Sequence, residues 1–302
     1  MSPGLVAQFP RMAAGFGVRN AQLALLDHTG VRTARVGGPE AAELRFPFAS
    51  VTKLFTATVA LQLVRDGDLD LDAALGRYGE EFAAAPNGLG TTVTLRHLLS
   101  HTSGLVCSLD DEDRTPRGFA AAAGEPALLF RPGSAFSYSN VGFALVGRLI
   151  EAAAGAMAAG TRTSTGTAPA PVTAWPTAMA GPGAEGRDVG APPVGRSEAH
   201  PAPGGDADLA GTWANGDMVY RLTGGAGAPL HLEDDTGARY RLDLDGRGRF
   251  SAHRLDFLEA PYAGRFLPDP ETGVSPLLQF AGRVLRRESP YGEKTGKFRT
   301  AG

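Results

Sequence analysis

Residues 48–64 read FASVTKLFTATVALQLV, and this stretch decides the fold. Val51, Leu54, Phe55, Val59, Leu61 and Val64 occupy nearly every face of a helix, so the spacing predicts a buried helix that stops at Asp66-Gly67. Ser50 opens that helix, and Lys53 follows one turn later on the same face. A serine hydroxyl is a poor nucleophile until a neighbouring base takes its proton, and a lysine whose pKa is lowered by packing can share that task. The helix start adds the positive end of a dipole and free N–H groups able to face a developing oxyanion. Taken alone, a serine and a lysine at this spacing also describe an ordinary surface pair.

Outward from this helix the local signals are clear. Residues 20–37 alternate apolar and polar positions around Asp27-His28-Thr29-Gly30, a hairpin between two strands. Residues 68–83 read as a surface loop with a short helix. Thr94 is placed to cap a helix that Gly104 stops. The acidic run Asp110 to Asp113 reads as a solvated loop. The turn Arg131-Pro132-Gly133-Ser134 leads to Tyr138-Ser139-Asn140, and Asn140 is placed to cap a helix whose apolar face is Val141, Phe143, Leu145, Val146, Leu149 and Ile150. Tyr138 can be a general base if held near a lysine, and Asn140 can fix that lysine or a substrate amide. A tyrosine in such a turn also serves as an ordinary edge-packing residue. His97 and His101 read as packed, hydrogen-bonded histidines. The spacing of histidines and carboxylates matches no metal motif, so no metal or other cofactor is expected.

Composition sets further bounds. The chain has 302 residues, 43% of them hydrophobic and 20% charged, with a formal net charge of −3. No field of either sign points to nucleic acid or an anionic membrane. The single cysteine, Cys107, admits no intramolecular disulfide and reads as a small buried hydrophobe. No run reaches the roughly 18 apolar residues of a membrane span, and the first residues carry no secretory signal pattern, so the default compartment is the cytoplasm, with an extracytoplasmic location left open. At Gly155 the character changes. From there to Asp208 the sequence holds no Leu, Ile, Phe or Tyr, which predicts disorder because too little apolar area is available to offset chain entropy. From Leu209 on, short alternating runs with turns at Asp235-Thr236-Gly237 and Asp245-Gly246 predict an antiparallel meander of six to eight strands, closed or half closed.

Together, FASVTKLFTATVALQLV, LDLD, TLRHLLSHTSGL and RPGSAFSYSNVGFALVGRLIE, in that order over residues 17–155, resemble the serine β-lactamase and penicillin-binding-protein family. The likeness is to class C enzymes, DD-peptidases and related esterases. It implies an acyl-enzyme on Ser50, with Lys53 and Tyr138 sharing proton transfer and Asn140 in the substrate site. The C-terminal meander resembles the lipocalin-like domain of some relatives. The family domain also continues into a strand carrying a third motif that supplies an oxyanion N–H, and here the low-complexity stretch stands in its place. Loss of one such donor costs on the order of 100- to 1,000-fold in rate. Lys294-Thr295-Gly296 spells the motif, but six residues from the end and without preceding alternation it reads as a tail tripeptide.

The expectation is therefore an α+β protein. Residues 1–155 form the N-terminal half of a β-lactamase-like domain with an antiparallel sheet and helices. A disordered linker (156–208), a lipocalin-like β-meander or barrel (209–290) and a tail (291–302) follow. The expected partner is a small-molecule or peptide substrate, and the sequence leaves the oligomeric state open. Two functions follow: a serine hydrolase acting on an amide, ester or β-lactam, or an inactive remnant or binding module lacking the third motif. The abrupt junction at Gly155 is what a frameshift or deletion within a gene leaves.

Overall fold

The structure is a computed structural model that describes residues 4–39, 44–109, 115–158, 209–225, 227–256, 260–268 and 275–288. The acidic run, the low-complexity stretch from residue 159 on and the Lys-Thr-Gly tripeptide lie outside these residues. The chain divides into two compact units, Met1–Thr52 and Lys53–Gly302.

The first unit holds helix α1 (Gly4–Gly15) and the hairpin of β1 (Ala21–Asp27) and β2 (Gly30–Val36). The strands pair antiparallel from Ala21↔Val36 to Asp27↔Gly30, which leaves a two-residue loop, as the sequence predicts. Asp27 Oδ1 accepts the Thr29 hydroxyl and, at 2.8 Å, the Thr29 N–H, and Oδ2 meets Arg32 Nη2 at 2.7 Å; these bonds, the hydroxyl's foremost, hold the Asp27 carboxyl below its usual range. A short 3-10 turn, Ala49–Val51, carries Ser50 and runs directly into the next helix.

The second unit begins with α2 (Thr52–Arg65), followed by the short helices α3 (Glu80–Ala83), α4 (Leu89–Thr92), α5 (Leu95–Leu99) and α6 (Pro116–Ala122) and the long α7 (Asn140–Ala158). Their core gathers Leu75, Phe82, Leu89, Leu95, Leu98, Leu105, Leu145 and Leu149. Two expectations are corrected here. The segment around residues 75–82 is no surface loop, since Leu75 and Phe82 are both 0% exposed. Helix α2 is not buried either: Ala60 is its only buried residue, and Leu54 is 68% exposed. An all-round apolar helix needs neighbours on several sides, and among its apolar residues only Ala60, Leu63 and Val64 join the apolar core of its own unit.

Strands β3 (Gly211–Asn215), β4 (Met218–Gly225), β5 (Ala228–Asp234), β6 (Arg239–Leu244), β7 (Arg249–Arg254), β8 (Tyr262–Leu267), β9 (Leu277–Phe280) and β10 (Arg283–Arg287) form an antiparallel barrel closed by pairing of β10 with β3. The predicted meander is thus a closed, eight-stranded up-and-down barrel. Alternation turns Trp213, Leu222, Leu232, Leu242, Phe250, Phe266, Leu278 and Phe280 inward, where they fill the interior. Asp234 and Asp245 shape the predicted turns by accepting backbone N–H groups two and four residues on.

Gly104 has φ +80°, and a Cβ there would lie 2.3 Å from the Phe130 carbonyl oxygen. The predicted stop therefore falls late: α5 ends at Leu99, and Gly104 serves a close backbone crossing beyond it. Gly104→Ala is expected to lower stability by about 2–3 kcal/mol. Gly147→Ala, in the interior of α7 with nothing near the added Cβ, is expected to raise it by about 0.5–1 kcal/mol. Urea midpoints of the two variants check the contrast.

Candidate active site

Four consecutive amides build the site loop, and each has a separate backbone or ring acceptor. Ser137 N–H donates to the His101 carbonyl at 2.8 Å, and Tyr138 N–H to the Gly282 carbonyl at 2.9 Å. Ser139 N–H donates to His101 Nδ1 at 3.1 Å, and Asn140 N–H to the Cys107 carbonyl at 2.8 Å. A loop with every amide satisfied holds its side chains in fixed directions. The cap of α7 is Ser139, not Asn140 as the sequence suggests: Ser139 Oγ accepts the Gly142 N–H at 2.9 Å and donates to the Val106 carbonyl at 2.7 Å. Asn140 is released for another partner.

That partner is Lys53. Its Nζ donates to Asn140 Oδ1 at 2.8 Å and stands 5.0 Å from the centroid of the Tyr138 ring and 5.7 Å from that of Phe143. The structure thus brings three of the four expected residues together: Lys53, Tyr138 and Asn140. Ser50 belongs to the first unit, in the 3-10 turn whose first residue, Ala49, has φ +44°. A non-glycine residue there is costly, and such backbone strain clusters at functional positions.

Two neighbours were not legible as site residues. His101 stacks on Tyr138 with ring centroids 4.5 Å apart and on Phe143 at 5.0 Å, with Phe136 edge-on at 5.8 Å. Burial, then the positive charges of Lys53 and Arg283, push its pKa down to about 4. At neutral pH the imidazole is uncharged, which suits Nδ1 as the acceptor of the Ser139 N–H. Arg283, at the start of β10, places its guanidinium 5.1 Å from the Tyr138 centroid, while its Nε donates to Cys107 Sγ at 3.3 Å. Cys107 itself is buried, as expected of it. His97 closes a capping box with Thr94 at the start of α5, a packed role that matches the sequence reading. Among the described residues no cluster of His, Cys, Asp and Glu is arranged to hold a metal ion, and no helix is long and apolar enough to cross a membrane.

The depressed His101 pKa has a signed consequence. Between pH 6.5 and about 4 the unfolded chain binds a proton at His101 that the folded chain resists, so stability is lost as pH falls through that window. The melting temperature is expected to fall from pH 7 to pH 5, and less so in His101→Asn. Asparagine tolerates the +56° φ of this residue and keeps an acceptor without a titrating ring. Parallel pH profiles for the two proteins would contradict the assignment.

The chain is similar to known proteins. The sequence model of the Beta-lactamase family matches residues 7–253. Penicillin-binding protein 4 of Amycolatopsis lactamdurans is 35% identical over 116 residues, covering 36% of this chain and 30% of that protein. Protein flp of Staphylococcus aureus strain COL is 31% identical over 113 residues, covering 35% of this chain and 23% of its own. The chain therefore matches less than a third of the length of either relative. Among solved structures, SurE with D-Leu aligns with a TM-score of 0.61 and 26% identity, covering 94% of this chain and 99% of that one. With a family match over most of its length, the chain belongs to the Beta-lactamase family.

Proposed function

We propose that the protein is a serine hydrolase acting on an amide, ester or β-lactam carbonyl. Ser50 Oγ attacks the carbonyl carbon and its proton passes to the Lys53–Tyr138 pair. Collapse of the tetrahedral species expels the amine, alcohol or ring nitrogen, which takes up that proton. Water then cleaves the acyl-enzyme and restores Ser50. Asn140 orients Lys53 and the substrate amide. The observation that carries this reading is the 2.8 Å hydrogen bond from Lys53 to Asn140, beside the Tyr138 ring. It joins the lysine of one motif to the tyrosine and asparagine of another, across a large separation in sequence. SurE has been solved with D-Leu, and on that likeness a substrate with a D-configured aliphatic residue on the acyl side is the first to try.

The finer domain reading belongs to the same proposal: a half hydrolase domain over 1–155, a linker over 156–208, a lipocalin-like barrel over 209–290 and a tail over 291–302. The stretch 155–208 then takes the place of the third-motif strand through a frameshift or deletion. A second reading, an inactive remnant or binding module, is favoured by one observation: Leu54, Phe55 and Leu61 of α2 are exposed although the helix is apolar on nearly every face.

Intact mass after treatment with a penicillin, a fluorophosphonate and the D- and L-leucine methyl esters of one acyl group decides between the two. The hydrolase reading expects a single adduct that Ser50→Ala abolishes, and faster turnover of the D-ester. Absence of any adduct or turnover with every probe selects the remnant.

A further inference from the structure

Asn215 is the last residue of β3, and its 0% exposure makes it one of the few fully enclosed polar side chains among the described residues. Strand alternation turns it inward with Trp213, at a position where the barrel otherwise places apolar side chains. A buried amide is kept only where its hydrogen-bonding groups are satisfied. Those of Asn215 are satisfied partly from outside the barrel. Oδ1 accepts the Cys107 N–H, and Nδ2 donates to the Val284 carbonyl at 2.8 Å and to Ser137 Oγ at 3.3 Å. Ser137 Oγ also accepts the Val284 N–H at 3.0 Å.

Two of these partners fix the two ends of the site loop. Cys107 accepts the Asn140 N–H, and Ser137 precedes Tyr138, whose own N–H reaches Gly282 in the β9–β10 turn. The next residue reinforces the contact. Gly216 has φ +61°, and a Cβ there would stand 2.4 Å from the Ser108 carbonyl oxygen, so the β3–β4 turn lies directly on the Cys107 segment.

We infer that Asn215 is a positioning residue for the candidate active site. Its carboxamide locks Cys107 and Ser137 to β10 and thereby sets where Tyr138 and Asn140 point, so the barrel is an integral part of the hydrolase site. The catalytic half of this inference rests on the proposed function; the geometric half does not.

The test uses the full chain labelled with [ζ-13C]tyrosine, with the Tyr138 resonance assigned by its loss in Tyr138→Phe. Three variants are compared. Asn215→Ala removes the hub, Ser137→Ala removes only its hydroxyl partner, and Leu242→Ala weakens the barrel core on a strand that does not adjoin β3. The Tyr138 resonance is expected to shift or broaden in Asn215→Ala and Ser137→Ala, with Tyr78 unmoved, and to stay in place in Leu242→Ala. The limiting rate at which a fluorophosphonate phosphonylates the serine, with loss of fluoride, should fall on the order of 10- to 100-fold in Asn215→Ala, with little change in half-saturation. If Asn215→Ala does not fold, Ser137→Ala decides. A Tyr138 resonance unchanged in the variants that fold, or moved equally by Leu242→Ala, overturns the inference. A wild-type protein that no probe modifies covalently, with a Tyr138 resonance that moves in the variants as expected, overturns the proposed hydrolase and leaves the positioning role supported.

Discussion

The carboxamide of Asn215, enclosed where barrel meets helices, is the constraint on which the rest of this site depends. A neutral amide in that position satisfies one backbone donor, one backbone acceptor and one hydroxyl at once. No apolar residue does this, and each group left without its partner in a dry interior costs about 1–3 kcal/mol. Helical half and barrel are therefore bound by directional bonds as well as by packing. Arg286 adds two more, donating from Nη2 to the carbonyls of Leu128 and Leu129 at 2.7 and 2.8 Å.

On this frame the electrostatics of the site follow. Lys53 and Arg283 both lie near the Tyr138 ring, and His101, stacked on it, stays neutral at physiological pH first through its burial and then through their positive charge. Cations near an aromatic face gain from its quadrupole, and more so when partly desolvated. One of them comes from the first turn of α2, the other from the barrel, so the surroundings of Tyr138 are assembled from both halves of the second unit.

Much of this was legible in the sequence because it rests on local rules. The Asp-His-Thr-Gly hairpin, the helix after Ser50, the apolar face of α7 and the alternating barrel strands each announce themselves within a few residues. Lys53, Tyr138 and Asn140 were named through the family resemblance of the motifs that carry them. What stayed hidden depends on partners far away in the chain. Asn215 looks like an ordinary strand end until Ser137 and Cys107 are placed beside it. Arg283 is one arginine among many. The Ser139 cap was misassigned to Asn140 because both residues cap helices well, and only the Lys53 contact shows which side chain is otherwise engaged. Burial of α2 was overestimated because periodicity reports where apolar side chains point, not whether a neighbour stands there.

Native-state hydrogen exchange at the amides of Cys107, Tyr138 and Val284, read against amides of β5 and β6, tests the central claim most directly. A site loop locked to the barrel should exchange with it, within about 1 kcal/mol of the β5 and β6 opening free energies. Exchange of Cys107 and Tyr138 several kcal/mol more easily than the barrel, at the level of an ordinary surface loop, would contradict the account.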